Sequence, residues 1–558
     1  MTGQSAPTRQ PQSWLERKFL PLLLATAAAG LIPLVVLGTT QFLGFDGWWH
    51  VFIATQDRWL MVAGEWKGIA HPPLFYPLLR LAAAISHSLL ALRAVSILSG
   101  AASTVVIGVV AAKIYRYKAA ALLVAAAHAF SWSMIELNSD VRAYPLALLF
   151  VLLAFDALVD WTADPEGPMA ARAILRFGGY SLLAILSEYY VIFFLAACVG
   201  VLLLRAILRP AFRVALLRSI RSEWKIWLLS FASVSGVFLT CFLFHMIVRP
   251  QDQAYLQPYV FHNDPAMEPD WFVQSNLTKE LGYFTPFGLD PALLLWVVAL
   301  IFVPALVYLV FFRKNDRGRA LSIYPPLLLA GILVQLIVLG LAGRYPFGGE
   351  WRHQSIIAPF VLLTALLLLD RLAGILKAPL ARNAIFVVAG LTIAGSFAFG
   401  WSVCPWSSTP LMSAEYRLFR AQFPEANNIY GDNTSAIFFY SHTHNANWAF
   451  QDRFLARDQR ITVYQVDEGS GQTVRLLRNK HETFLDLTNP ETYQTIAAAL
   501  RNEGRRTVVL FDVGRGWDDA GARTLENSVR TLAPNAGLES SRVSVGRTFI
   551  FAEFTLLN

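Results

Sequence analysis

The sequence predicts a polytopic α-helical membrane protein with about eleven transmembrane helices, followed by a small α/β domain. Three observations predict it. Of the 558 residues 55% are apolar and only 15% charged, where a soluble domain carries about a quarter charged. The apolar residues fall in long blocks between Phe19 and Trp401. Basic residues cluster in alternate loops between those blocks, as they do when one side of a membrane protein faces the cytoplasm.

Residues 1–18 read as a polar tail and residues 19–403 as the transmembrane part. A bilayer crossing takes roughly 20 apolar residues as helix. Spans are expected near Phe19–Thr40, Leu89–Val110, Ala119–Ile135, Tyr144–Val159, Gly178–Leu186, Val191–Leu204, Ile226–Ile247, Pro291–Phe312, Ile323–Leu341, Ser355–Leu369 and Ala384–Trp401. The first is too long and uninterrupted for a cleaved leader, and reads as a signal anchor. Lys113, Arg116 and Lys118 follow the second span. Arg205 to Lys225, Arg313 to Arg319 and Arg371 to Arg382 form the other basic stretches. All are placed in the cytoplasm, which puts the alternate loops outside. The net charge of +8 is then a topology signal, and no nucleic-acid partner is expected. About 28 residues separate Arg176 from Arg205, too few for two comfortable crossings. A short hairpin is expected there, with Ser187, Glu188, Tyr189 and Tyr190 at its tip.

Two outer loops are long. Residues 41–88 carry Trp48, Trp49, Phe52, Trp59 and Trp66 among polar residues. That pattern suits a helix in the membrane interface, with a second between Pro72 and His87. Residues 249–290 are polar and aromatic, and loops of that length are often functional. From residue 404 to 558 the apolar runs shorten and alternate. Arg460–Val466, Thr483–Leu487, Thr507–Asp512, Val543–Arg547 and Phe549–Phe554 read as strands, and Leu411–Phe423, Glu491–Glu503 and Ala520–Leu532 as helices. The pattern is that of an extracytoplasmic α/β domain. Cys198, Cys241 and Cys404 suggest neither a disulfide framework nor a cysteine metal site.

Ionisable residues at a membrane boundary are costly and therefore functional candidates. Four clusters fall on the predicted outer side. Asp46, in Phe-Asp-Gly-Trp, can accept a proton from a hydroxyl or cap an interfacial helix. His71 precedes Pro72-Pro73-Leu74, and can contact a phosphate or a sugar hydroxyl or stand at a stiff turn. Asp140, Arg142 and Tyr144 surround the mouth of the fourth span. Arg142 offers a planar fork for phosphate oxygens, or forms a self-neutralising pair with Asp140. The fourth cluster runs from Arg344 and Tyr345 through Gly348-Gly349 to Arg352 and His353. Cations are scarce on that side, and a bound anion would explain them. His262 in the long loop is a further substrate-binding candidate, and His442 and His444 read as surface residues. No Gly-rich phosphate loop lies on the predicted cytoplasmic side, which argues against direct use of a nucleotide sugar.

These clusters, in this order, resemble the GT-C superfamily of membrane glycosyltransferases. The nearest resemblance is to family 39-like enzymes related to protein mannosyltransferases and lipid A aminoarabinose transferases. It covers roughly Phe19 to Trp401. Asp46, His71-Pro72-Pro73-Leu74-Phe75-Tyr76, the acidic-x-Arg-x-Tyr pattern of Asp140, Arg142 and Tyr144, and Tyr345-Pro346-Phe347-Gly348-Gly349 with Arg352 and His353 carry it. The resemblance implies a GT-C type fold and a polyprenyl-phosphate sugar donor. It implies an inverting displacement with Asp46 as general base. Arg142, Arg344, Arg352 and His353 would hold the donor phosphate. His71, Asp140, Tyr144, Glu188, Tyr189, Tyr345 and His262 would line the substrate cavity. The acceptor would be a hydroxyl of a lipid, a cell-envelope glycan or a protein. The setting would be a bacterial inner membrane. Two departures stand out, since Gly47 replaces a second acidic residue and Asp140 replaces a glutamate. They leave a divalent metal requirement open. A lipid-linked glycan flippase is the alternative, although such proteins place key charges near the membrane midplane.

Overall fold

The structure of the chain is a computed structural model. It describes residues 14–40, 43, 45–54, 71–86, 88–248, 261, 268–283, 321–348, 351–403, 428–431, 461–467, 472–477, 487–503, 507–513, 519–545 and 549–557. The chain divides into two compact units. One comprises Met1–Leu37, Lys67–Phe75 and Ala94–Cys404, and the other Gly38–Trp66, Tyr76–Arg93 and Pro405–Asn558.

The first unit is helical. Its long helices are α1 (Trp14–Thr40), α4 (Leu89–Ile114), α7 (Tyr144–Ala163), α8 (Ala170–Ser187), α9 (Val191–Leu208), α11 (Trp224–Val248), α13 (Tyr324–Leu341), α14 (Ala358–Ile375) and α15 (Pro379–Val403). Shorter α5 (Lys118–Phe130) and α6 (Trp132–Ser139) meet at a 55° bend. Helix α10 (Pro210–Ser222) links α9 to α11, and α12 (Pro269–Gly282) lies in the second long loop. Among the described residues, eight helices are long and apolar enough to cross a membrane, or nine if the bent pair counts as one. The expected span Pro291–Phe312 lies outside the described residues.

Local sequence sets these boundaries. Proline stands in the first two positions of α7, α10, α13 and α14, where its missing N–H costs nothing. Gly100 of α4 faces Asn138 so closely that a Cβ would come within 2.5 Å of its side chain. Small residues permit such close helix approach in membranes. The core of this unit runs through Ile107, Leu152, Phe155, Phe194, Leu328 and Phe360, each fully or almost fully buried.

The hairpin differs from its expectation in length. Its tip holds Glu188, Tyr189 and Tyr190 as expected, but each arm has 18 residues, about 27 Å of helix. Helix α8 begins well before Gly178 because Arg176 does not end it. The Arg176 guanidinium bonds Asp156 at 2.7 Å and Asp160 at 3.0 Å. Lys113 Nζ bonds the same two carboxylates, each at 2.6 Å. Asp156 and Asp160 are four apart on α7 and so share a face. Two cations and two anions thereby pin α4, α7 and α8 together at one end of the bundle. At that end Asp370 of α14 also accepts the backbone N–H groups of Arg116 and Tyr117, at 3.1 and 2.9 Å.

The second unit contains α2 (Phe45–Ala54), α3 (Phe75–Ile85) and an α/β domain. The two short helices are joined by a 3.4 Å bond from Arg80 to Ala54 O, and the rings of His50 and Tyr76 lie 5.7 Å apart. The sheet has six strands in the order β2-β3-β1-β4-β6-β5. They are β1 (Asn428–Gly431), β2 (Ile461–Asp467), β3 (Gln472–Leu477), β4 (Thr507–Val513), β5 (Leu538–Val545) and β6 (Phe549–Leu556). The central β1 is parallel to β3 and β4, and the other pairs are antiparallel. Helices α16 (Pro490–Glu503) and α17 (Asp519–Leu532) bury Tyr493, Ile496, Leu500, Leu525 and Val529 with Ala552 and Phe554 of β6. The spacing of those residues is the one-face repeat of an amphipathic helix. Strands β1 and β3 were not expected. The expected helix Leu411–Phe423 lies outside the described residues, as does the expected strand Thr483–Leu487 apart from Leu487.

Candidate active site

The candidate site lies at the end of the first unit opposite the Lys113 network. Four segments far apart in sequence build it: residues 71–74, 140–144, 188–190, and 343–348 with 351–357. The His-Pro-Pro-Leu segment cannot continue a helix through its paired prolines. It is fixed instead by Leu74 N–H donating to Leu186 O at 2.9 Å, at the end of α8. That bond seats His71 beside the hairpin tip. Its Nδ1 lies 2.5 Å from Glu188 Oε1, with the side chains 19% and 6% exposed. A charge-assisted bond of this kind is worth about 1.5–3 kcal/mol, and it fixes the imidazole's orientation.

Aromatic rings extend the cluster. His71 meets Tyr144 edge-on at 5.9 Å, and Tyr144 stacks on Tyr190 at 5.8 Å. Tyr345 packs edge-on against Phe193 at 4.8 Å and donates its hydroxyl to His353 O at 2.7 Å. Burial pushes the Tyr345 phenol well above its usual range, and Tyr144, Glu188 and Glu280 add to the effect. A cluster of phenols and a carboxylate next to a His suits hydroxyl-rich ligands, since each phenol can give or take a hydrogen bond.

Arg142 is held from three sides. Its Nε donates to Asp140 Oδ2 at 3.1 Å. Its backbone N–H donates to Ser96 Oγ at 3.3 Å, and its carbonyl accepts from Ser96 Oγ at 3.0 Å. The self-neutralising Asp140–Arg142 pair therefore exists. Arg142 is buried and Asp140 is about one-third exposed. A planar guanidinium can hold a carboxylate on one edge and still offer N–H groups on another.

The fourth cluster is a tight turn after α13. Gly343 and Gly348 both have positive φ, at 65° and 76°, which L residues with side chains rarely adopt. Arg344 is exposed, and Arg352 and His353 are half-buried on the short 3-10 helix Trp351–Ile357. Helix α12 docks on this turn. Lys279 Nζ donates to Gly348 O at 2.7 Å, and Phe272 and Phe347 rings lie 6.3 Å apart. A Cβ on Gly348 would come within 2.0 Å of Asn276 Oδ1 and 2.4 Å of its Cβ. Gly348→Ala should therefore force α12 off the turn and strain the backbone, at a cost of about 2 kcal/mol. Thermal unfolding in lipid checks this, and a change below about 0.5 kcal/mol would contradict the contact.

Tyr189 sits at the hairpin tip, and its ring meets Phe238 and Phe242 edge-on at 6.2 and 6.3 Å. Asp46 lies in the first turn of α2, half-buried, in the second unit. A carboxylate there meets the positive end of the helix dipole. His262, Gly349, His442 and His444 lie outside the described residues. Among the described residues, no group of three His, Cys, Asp or Glu side chains comes together as a metal site would require. Sequence reasoning missed Lys279 and Glu280. They stand in a polar loop whose helix shows its role only once it docks on the Gly348 turn.

No protein-family model matches the chain, and no curated protein matches it. Solved structures do. ArnT from Cupriavidus metallidurans bound to undecaprenyl phosphate is 13% identical, with a TM-score of 0.49 over 97% of this chain and 98% of that one. The archaeal oligosaccharyltransferase AglB from Archaeoglobus fulgidus, in complex with an inhibitory peptide and a dolichol-phosphate, is 12% identical, with a TM-score of 0.43 over 97% of this chain and 75% of that one. The arabinosyltransferase EmbB from Mycobacterium smegmatis is 12% identical, with a TM-score of 0.33 over 76% of this chain and 44% of that one. At these similarities no substrate or mechanism is carried across, and the roles of residues rest on this chain alone.

Proposed function

We propose that the chain is a glycosyltransferase that moves a sugar from a polyprenyl-phosphate carrier to a hydroxyl acceptor. The observation that carries the reading is the convergence of the His71–Glu188 pair, the Asp140–Arg142 pair and the Tyr345–His353 turn at one end of a helical bundle. A lipid phosphate brings its charge to the membrane boundary, where these groups lie.

In this reading Asp46 takes the proton of the acceptor hydroxyl. The hydroxyl oxygen then bonds to the anomeric carbon from the face opposite the phosphate. The bond from that carbon to the phosphate oxygen breaks, and its electron pair leaves with the carrier phosphate. Arg142, Arg344, Arg352 and His353 stabilise the leaving charge, which a phosphate needs more than it needs a proton. His71, Asp140, Tyr144, Glu188, Tyr189, Tyr345 and His262 line the sugar and acceptor space. In this reading the membrane is a bacterial inner membrane, and the positive-inside rule favours an extracytoplasmic position for this end and, separately, for residues 404–558.

The test offers a panel of undecaprenyl-phosphate sugars, with membrane extract as acceptor source, to the full chain in lipid nanodiscs. Release of free undecaprenyl phosphate from one donor supports the reading. Movement of labelled lipid across vesicles without any release would make the protein a transporter.

A further inference from the structure

Glu280 is the least explained charge-bearing residue of the described chain. It lies near the end of α12, only 2% exposed, and neither carboxyl oxygen has a hydrogen-bond partner. Its neighbour Lys279 is committed to Gly348 O. A buried carboxyl without a partner costs a few kcal/mol, so it calls for a reason, and a ligand that completes it is one. Glu280 also acts electrostatically on the Tyr345 phenol, along with Glu188 and Tyr144. The Lys279–Gly348 bond sets this part of α12 on the turn of the candidate site.

A second, independent atom makes the same demand. Gln354 is fully buried on the 3-10 helix, and its Nε2 donates to Pro346 O. Its Oε1 has no partner. Two acceptor-bearing groups thus border one turn, residues 345–348, with nothing to donate to them. A polyol brings several O–H donors on one rigid ring.

We propose that the carboxyl group of Glu280, with Gln354 bordering the same turn, holds hydroxyl groups of the transferred sugar. The proposal rests on the glycosyltransferase reading and deepens it. Glu280 then selects the sugar, while the cationic groups hold the phosphate. Burial pushes the Glu280 carboxyl up to about 8, with Lys279 pulling weakly the other way. At neutral pH it is the uncharged acid, which both gives and takes a hydrogen bond as a hydroxyl does. The titratable groups that act on it or that it acts on are Lys279 on its own helix and Tyr345 on the turn.

The experiment measures binding to the full chain in nanodiscs with two probes, undecaprenyl phosphate and the undecaprenyl-phosphate sugar on which the native chain turns over. Glu280→Leu should bind undecaprenyl phosphate as the native chain does and the sugar-bearing donor about 10-fold or more weakly. Glu280→Gln, which mimics the uncharged acid, should stay within about threefold of native at pH 7. Donor affinity of the native chain should change as pH rises through 8, and that of Glu280→Gln should not. That comparison keeps the proposal testable if the leucine variant does not fold. Donor binding by a folded Glu280→Leu equal to native would overturn the proposal while leaving the transferase reading intact. A pH dependence through 8 that Glu280→Gln shares with the native chain would remove Glu280 from donor binding and overturn it too. A native chain that turns over no donor would bring down the parent reading, and this one with it.

Discussion

Asp46→Asn is expected to fold normally, to bind donor as the native chain does and to lose about 10²- to 10⁴-fold in kcat. The substitution separates the two roles the residue can hold. Asparagine caps a helix about as well as aspartate, and loses only the modest dipole term of a carboxylate in the first turn of α2. If Asp46 merely stabilises α2, the variant should turn over donor at nearly the native rate. As a base, the amide cannot accept the acceptor's proton near neutral pH, and attack must proceed from the weaker un-ionised hydroxyl. Single-turnover release of undecaprenyl phosphate reads the difference, with donor affinity measured alongside. An unchanged rate would remove Asp46 from the mechanism and send the search for a base to other carboxylates.

Asp156→Ala should have the largest effect on stability. The carboxylate is only 9% exposed and holds both Lys113 and Arg176. Without it the two cations share Asp160 alone, and a partly buried positive charge goes uncompensated. Removing one partner of a buried pair costs about 3–5 kcal/mol, and the half-exposed cations put this site near the lower end. The exposed pair Arg218–Glu166, at 3.4 Å with side chains 68% and 46% exposed, supplies a control. Glu166→Ala should cost less than about 1 kcal/mol. Thermal unfolding in lipid compares the two. Equal effects would mean that the network is no stronger than a surface pair. Lys113→Ala should partly rescue Asp156→Ala, because it removes one stranded charge.

The long helices were legible because a membrane crossing writes itself as a continuous apolar block. The hairpin tip was legible from spacing, and it delivered Glu188 as well as Tyr189. The His71–Glu188 bond was not, since its partners stand 117 residues apart and no local period links them. Lys113 was read as a marker of sidedness, and its two carboxylates inside α7 went unnoticed within a hydrophobic run. Glu280 was hidden for a different reason. In a polar loop one glutamate looks like any other, and only the docking of α12 on the Gly348 turn takes it out of water. Strands β1 and β3 are short, four and six residues, and follow no alternation strong enough to separate them from loop.

The Lys113–Asp156–Asp160–Arg176 network also bears on how the chain enters the bilayer. Helix α8 carries Arg172 and Arg176 in its first two turns and is not among the helices apolar enough to insert by composition. An arginine presented to lipid alone opposes partitioning by about 2.5–3.5 kcal/mol at mid-depth, and less near the headgroups. Helix α7 precedes it by a short turn and brings the two aspartates that neutralise Arg176. Helix α8 is therefore expected to insert better behind α7 than alone. A truncation that ends between them would leave Asp156 and Asp160 with Lys113 of α4 as their partner and without Arg176.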